Sequence, residues 1–272
     1  MSIFDFEGNC FKVVKTKTAF AFPIALKKNR IAYLNYKFET DNRKSEKKKC
    51  VVILKDILSG SEKIIDTIEL FNKNSIKFSP NSGMSFPDIN GDVFLAKTKD
   101  GNLLVGVSNK PEINIYSLEG RRIKSFKLNM VPQSVTKDYI DEYKKSIIDE
   151  MKDDPKYSKT AYKLRVTKIE EYDFRKLFED HLPYYRSIQV DSDGNILIFK
   201  YIPCIKECAP IFQVYSPEGK YICETRIDTG IFVLNINTKN KQIEFTDKGI
   251  FGLFELKGSD DIDLRLVKVN WK

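Results

Sequence analysis

The sequence predicts an all-β protein built from repeated four-stranded antiparallel units, the blades of a β-propeller, and three observations predict it. First, one short phrase occurs three times: Ile3-Phe4-Asp5-Phe6-Glu7-Gly8, Ile115-Tyr116-Ser117-Leu118-Glu119-Gly120 and Val214-Tyr215-Ser216-Pro217-Glu218-Gly219. Each copy is a β-branched residue, an aromatic, a small turn residue, any residue, then Glu-Gly. Second, each copy is followed by another strand-like run, at 11–14, 123–128 and 221–227. The pair reads as a β-hairpin whose glycine supplies the positive-φ corner. Third, Asp-Gly-Asn leads into an apolar run at 100–105 and again at 193–198, with a weaker version at Lys28-Asn29-Arg30. A turn opening onto a buried strand explains that pattern.

Placed in order, these signals give four strands per unit. An inner strand comes first, such as Ser187-Ile188-Gln189-Val190. The Asp-Gly-Asn turn, a central strand, a variable tip, a third strand, the Glu-Gly turn and an outer strand follow. Units of about 45 residues are the spacing of propeller blades. The first two strands, within 2–14, form the last half of a blade. Blades then run over 19–70, 83–128 and 185–228, with a degenerate one at 231–271. That makes about four and a half to five blades of four antiparallel strands in one domain spanning 1–272.

The stretch 133–182 interrupts the period. Tyr139, Tyr143, Ile147 and Met151 recur every four residues, with Ile140 extending the stripe. That is a helical spacing. Asp138, Asp141 and Glu142 near its start complement a helix dipole, and Asp154-Pro155 ends it. A second helical piece carries Phe174, Leu177 and Phe178 and stops at Pro183. These residues are a helical insertion between two blades, with an apolar stripe expected to cover one face of the propeller.

Composition narrows the remaining choices. The 272 residues are 42% hydrophobic, enough for a large core. The net charge of +8 permits an anionic partner. It does not demand one, because 31% of residues are charged with both signs mixed. No run of about 18 apolar residues exists to span a membrane. The start, Met1-Ser2-Ile3-Phe4-Asp5, lacks the basic and apolar regions of a signal peptide. Five cysteines at irregular spacing are not a disulfide framework.

The run Val190-Asp191-Ser192-Asp193-Gly194-Asn195-Ile196-Leu197-Ile198, followed by 212–220, resembles the blade signature of six-bladed β-propeller proteins of the NHL and TolB-like superfamily. The approach Pro183-Tyr184-Tyr185-Arg186-Ser187-Ile188 is similar to that of the bacterial six-bladed propeller family. The resemblance implies a six-bladed ring. Six blades need about 270 residues before any insertion, so the chain is expected to be incomplete at its N-terminal side. It also implies an exported or periplasmic protein. Relatives of this kind include calcium-dependent lactonases and lyases with the site in the central channel, and RNA-binding propellers. Propellers host many roles, so fold alone does not assign one.

The residues themselves offer few chemical groups. His181 is the sole histidine, so neither a catalytic triad nor a multi-histidine metal site is expected. A packed or partly exposed structural role fits it. Cys204 and Cys208 form a C-x3-C at a hairpin tip and allow a local disulfide, free thiols or part of a metal site. Asp191 starts a sequence like a calcium loop, but its twelfth position is Ile202, not the bidentate glutamate, so a plain turn is expected. No cofactor is expected, with channel calcium as the one candidate.

Asp92 and Asp191 flank inner strands and are candidates to face the channel mouth, together with Arg186 and Arg226. Tyr184, Tyr185 and Arg186 form an aromatic and cationic cluster of the kind that anchors ligands, or the tyrosines pack under the insertion. The basic tip at 43–49 is a solvated tip or an anion site. The function expected is a non-enzymatic binding module taking a protein, peptide or glycan on one propeller face. The alternatives are a metal-dependent lyase or hydrolase and an RNA-binding propeller, although nucleic acid is the weaker partner on charge alone.

Overall fold

The computed structural model describes residues 2–4, 10–13, 21–37, 47–71, 75–79, 82–85, 90–152, 159–202, 211–226, 232–233, 243–246, 249–256 and 264–269. Strands β1 (Ser2–Phe4) and β2 (Cys10–Val13) pair as an antiparallel hairpin. A first blade follows: β3 (Ala21–Ala25), β4 (Arg30–Lys37), β5 (Lys47–Asp56) and β6 (Glu62–Phe71), hydrogen-bonded in that order. Strands β7 (Ser75–Ser79) and β8 (Ser82–Ser85) make a separate hairpin. The second blade is β9 (Val93–Lys97), β10 (Leu103–Val107), β11 (Glu112–Tyr116) and β12 (Arg122–Lys127). Spacing places the start of this blade at 83. The structure moves it to Val93, because 82–85 pairs with 75–79 instead.

Helices α1 (Lys137–Lys152) and α2 (Lys159–Glu171) lie between the second and third blades. The third blade is β13 (Tyr185–Val190), β14 (Ile196–Lys200), β15 (Ile211–Tyr215) and β16 (Tyr221–Arg226). At the end of the chain come β17 (Phe232–Val233), β18 (Ile243–Thr246), β19 (Gly249–Leu256) and β20 (Leu264–Val269). There β17 and β18 share one edge of β19 and β20 takes the other. The first strand of each blade is the inner one: β9 packs beside both β3 and β13. Consecutive four-stranded meanders with neighbouring inner strands are propeller blades.

The turns at one end of the blades share a physical design. Gly60, Gly101, Gly120, Gly194 and Gly219 all take positive φ, between 72° and 94°. In four of them the glycine N–H returns to a carbonyl three residues back, as Gly120 does to Ser117 and Gly219 to Ser216. The residue opening each turn contributes its side-chain oxygen. Ser117 Oγ accepts from the Glu119 amide, Asp191 Oδ1 from Asp193 and Asn195, and Asp56 Oδ1 from Leu58 and Ser59. This is why the recurring phrase needs a small polar residue and then glycine. The weak third copy closes without glycine, through Lys28 and Asn29, both at φ 56°.

Two cores form between blades. Leu103, Val105 and Val107 of β10 face the first blade, among Leu34, Cys50, Val52 and Leu54. Leu104 faces the other way, toward Ile188, Ile196 and Ile198. A strand buried on both faces reads as a continuous apolar run, as Leu103-Leu104-Val105 does. Gly106 breaks that run for a packing reason. A methyl group there would collide with the Tyr185 hydroxyl and come within 2.7 Å of Ile113 Cδ1. Gly106→Ala is therefore expected to destabilise the protein by about 1–3 kcal/mol through overpacking. Urea unfolding measures it, and an unchanged midpoint would show that the site has slack.

The insertion builds its own core, which corrects the expectation that its stripe covers a propeller face. Ile147 and Met151 of α1 pack with Ile169, Phe174, Leu177, Phe178 and Leu182. Tyr139 and Tyr143 stack on one another and meet Phe178 edge-on. Thr136 starts α1, accepting the Tyr139 amide at 3.2 Å. The second helical piece also differs from expectation. Phe174–Leu177 is a single 3-10 turn, and the longer helix is α2. In α2 Ile169 is fully buried while Leu164 is exposed, so its apolar residues mark no single face. No described helix is long and apolar enough to cross a membrane.

Candidate ligand-binding face

Antiparallel meanders place alternate loops at opposite ends. The glycine turns occupy one end, and the β10–β11 tip and the β12–β13 connection occupy the other. The insertion sits at this second end and is fastened there. Its two ends meet as an isolated bridge between Ser134 and His181, with the Leu182 amide donating to Gln133 O at 2.8 Å. His181 is exposed in that bridge and is not on a helix. Asn90 donates to Leu177 O at 2.8 Å and accepts the Glu179 amide at 3.2 Å. Asn109 donates to the Glu179 carboxylate at 3.1 Å.

A continuous hydrogen-bonded path then crosses this end. The Tyr36 hydroxyl of the first blade donates to Asp92 Oδ1 at 2.8 Å. The Asp92 amide donates to Ser108 Oγ at 2.9 Å. The Tyr184 amide donates to Ser108 O at 2.7 Å, and the Tyr201 amide to Tyr184 O at 3.1 Å. The Tyr201 and Tyr139 hydroxyls meet at 3.2 Å, joining the third blade to α1. Three blades and the insertion are thereby held in one register.

Burial and the adjacent Asp92 charge push the Tyr36 hydroxyl well up, so it stays protonated and donates. Burial also pushes the Cys50 thiol up to about 12, reinforced by Asp92. A thiol held protonated is a poor nucleophile. Cys50 is expected to resist iodoacetamide at pH 8 in the folded protein, while the exposed Cys223 reacts. Peptide mass mapping reads this directly, and rapid Cys50 labelling would contradict it.

Arg186 is the unusual member of this end. It sits at a bulge in β13, where pairing jumps from Tyr185 with Lys200 to Ser187 with Phe199. Bulges re-aim side chains. Tyr185 is fully buried against Gly106 and Phe94, toward the second blade. The neighbouring Arg186 is mostly buried, yet its Nε and Nη2 have no hydrogen-bond partner. Burial pushes its guanidinium down to about 10, with Tyr201 nearby opposing the shift. It remains a cation at neutral pH. The Tyr185 hydroxyl is likewise buried without a partner, and burial drives it well above the ordinary tyrosine value.

The other sequence candidates fall elsewhere or are already engaged. Tyr184 is half-buried against the core between the second and third blades. Asp92 is buried and receives Tyr36 and the Val93 amide. Asp191 lies in the opposite-end turn, with both oxygens accepting hydrogen bonds from Asp193 and Asn195. Arg226 is exposed on the outermost strand of its blade, away from the inner strands. Cys204, Cys208 and the tip residues Arg43 to Glu46 lie outside the described residues. Lys48, from the same tip, stands 5.0 Å over the Tyr36 ring. Among the described residues, no three His, Cys, Asp or Glu side chains group as metal ligands.

Tyr36, Ser108 and Tyr201 escaped the sequence reading. All three stand at the same end of the central strand of their blades, so aligning the repeats by that strand would have gathered them.

No protein-family model matches the chain, and no curated protein matches it. Solved structures similar to it include a protein of unknown function from Bacteroides caccae, at 11% identity and a TM-score of 0.29. That match covers 82% of this chain and 54% of the other. The β-propeller domain of the Trilobed protease from Pyrococcus furiosus, of open velcro topology, matches at 11% identity and a TM-score of 0.33. It covers 92% of this chain and 59% of that one. The GH43 endo-arabinanase from Bacillus licheniformis matches at 11% identity and 0.34, over 92% and 73%. The chain thus spans little more than half the length of the first two structures.

Proposed function

We propose that this protein is a non-enzymatic binding propeller, of the six-bladed NHL and TolB-like kind, that takes a protein, peptide or glycan on the face bearing the insertion. The observation that carries the proposal is Arg186. A guanidinium with two buried, unpaired N–H groups costs free energy in the unliganded protein. A ligand that pairs them recovers that cost, which is the ordinary reason to retain such a group at a recognition site. The path from Tyr36 to Tyr139 supports the reading, because it holds this face rigid before any ligand arrives. Asp92 and Asp191, the carboxylates a channel metal would draw on, are engaged in hydrogen bonds within the fold. That favours binding over metal-assisted hydrolysis.

An array of immobilised peptides and glycans, probed with wild type and Arg186→Gln, tests the proposal. Wild type is expected to be retained on a subset that the variant loses. Retention independent of Arg186, or turnover of the retained molecules, would contradict it.

A further inference from the structure

We infer that the group recognised by Arg186 is a carboxylate; the inference rests on the binding reading above and names its ligand chemistry. The unpaired atoms are Nε and Nη2. These two nitrogens form one edge of the guanidinium and point two N–H bonds in parallel. That edge matches the two oxygens of a planar carboxylate in a bidentate pair. The arrangement asks for both oxygens at once, so a single hydroxyl or carbonyl would leave one buried N–H unmet.

Charge selects among anions. Arg186 brings one positive charge. Lys200, which pairs with Tyr185 across the bulge, is already bonded to Glu224 at 3.1 Å. A carboxylate, with one negative charge, neutralises one guanidinium. A phosphate monoester carries about −1.5 to −2 at neutral pH and would leave negative charge unmatched in a desolvated place. The bulge between Tyr185 and Ser187 leaves Arg186 without a cross-strand partner, while Tyr185 keeps its slot against Gly106. The nearby Tyr201, an apolar ring with a polar tip, suits the rest of a small acidic ligand.

The test is nuclear magnetic resonance of the full chain labelled with nitrogen-15 arginine. The Arg186 Nε–H signal is assigned by its loss in Arg186→Lys. The probes are sodium acetate, N-acetylalanine, galacturonate, the methyl ester of galacturonate, and inorganic phosphate. The Arg186 Nε–H is expected to move downfield and saturate with the carboxylates, but not with the ester or with phosphate. At least tenfold tighter saturation by N-acetylalanine than by galacturonate marks a peptide acid as the source, and the reverse marks a sugar acid. Arg186→Lys keeps the charge but loses the fork, and is expected to weaken the better probe at least tenfold by calorimetry. No shift with any carboxylate, or an equal shift with phosphate, overturns the inference. The broader reading fails separately: if the array still shows retention that depends on Arg186, recognition stands and only the carboxylate is wrong.

Discussion

Replacing Arg186 with methionine is expected to stabilise the free protein while ending its recognition of ligand. The guanidinium keeps two buried N–H groups unpaired, and methionine fills a similar volume with nothing to desolvate. Exchanging a buried charge for a well-packed apolar side chain is neutral or stabilising by about 1–4 kcal/mol. Because Arg186 retains some exposure, about 1 kcal/mol is the expected gain. For a chain of this length that raises the melting temperature by about 2–4 °C. Binding moves the other way. Losing a buried charged partner costs about 2–5 kcal/mol, so retained ligands should weaken by roughly 30-fold or more. Urea unfolding and calorimetry on the same samples separate the two effects. A variant destabilised by more than about 1 kcal/mol would mean that the guanidinium is structural, not held ready for a ligand.

Asn90→Ala is expected to loosen the insertion without melting the blades. Asn90 is buried, and its side chain serves two backbone groups of the insertion, the Leu177 carbonyl and the Glu179 amide. Alanine leaves both unpaired where water reaches them poorly. Each such group costs about 1–3 kcal/mol, so opening of 174–182 should become easier by about 2–4 kcal/mol. Hydrogen exchange of that segment should speed by roughly 30-fold or more, with β10 and β14 unchanged. Asn90→Asp should also fail, because a carboxylate oxygen would face the Leu177 carbonyl. Unaltered protection in both variants would show that the insertion is held by its apolar core alone.

The blades were legible in the chain because their turns are chemically obligatory. Gly101, Gly120, Gly194 and Gly219 take positive φ, and an opening Ser, Thr or Asp feeds each turn from its side chain. The insertion was half legible. The stripe of α1 is strict: Ile147 and Met151 are buried, and Tyr139, Ile140 and Tyr143 are partly buried against them. Helix α2 was missed because exposed Leu164 and buried Ile169 share no clear pattern. The place that the stripe covers was also illegible, since periodicity reveals a buried face and not its partner. The site divided in the same way. Arg186 was legible as an arginine among aromatics, but neither its unpaired fork nor the bulge it sits at is announced by any local pattern. Asp191 looked like a ligand group because a turn carboxylate and a binding carboxylate have the same sequence. Only its three hydrogen bonds distinguish them.

In the proposed reading, the insertion-bearing face, organised around Arg186, is where this propeller recognises its ligand. Hydrogen exchange of the wild-type protein, with and without a saturating array ligand that depends on Arg186, separates this face from the opposite one. Protection is expected at 133–139, 184–188 and 199–201, with the turns at 98–102, 117–121 and 191–195 unchanged. Protection confined to those glycine turns would place recognition on the opposite face and contradict it.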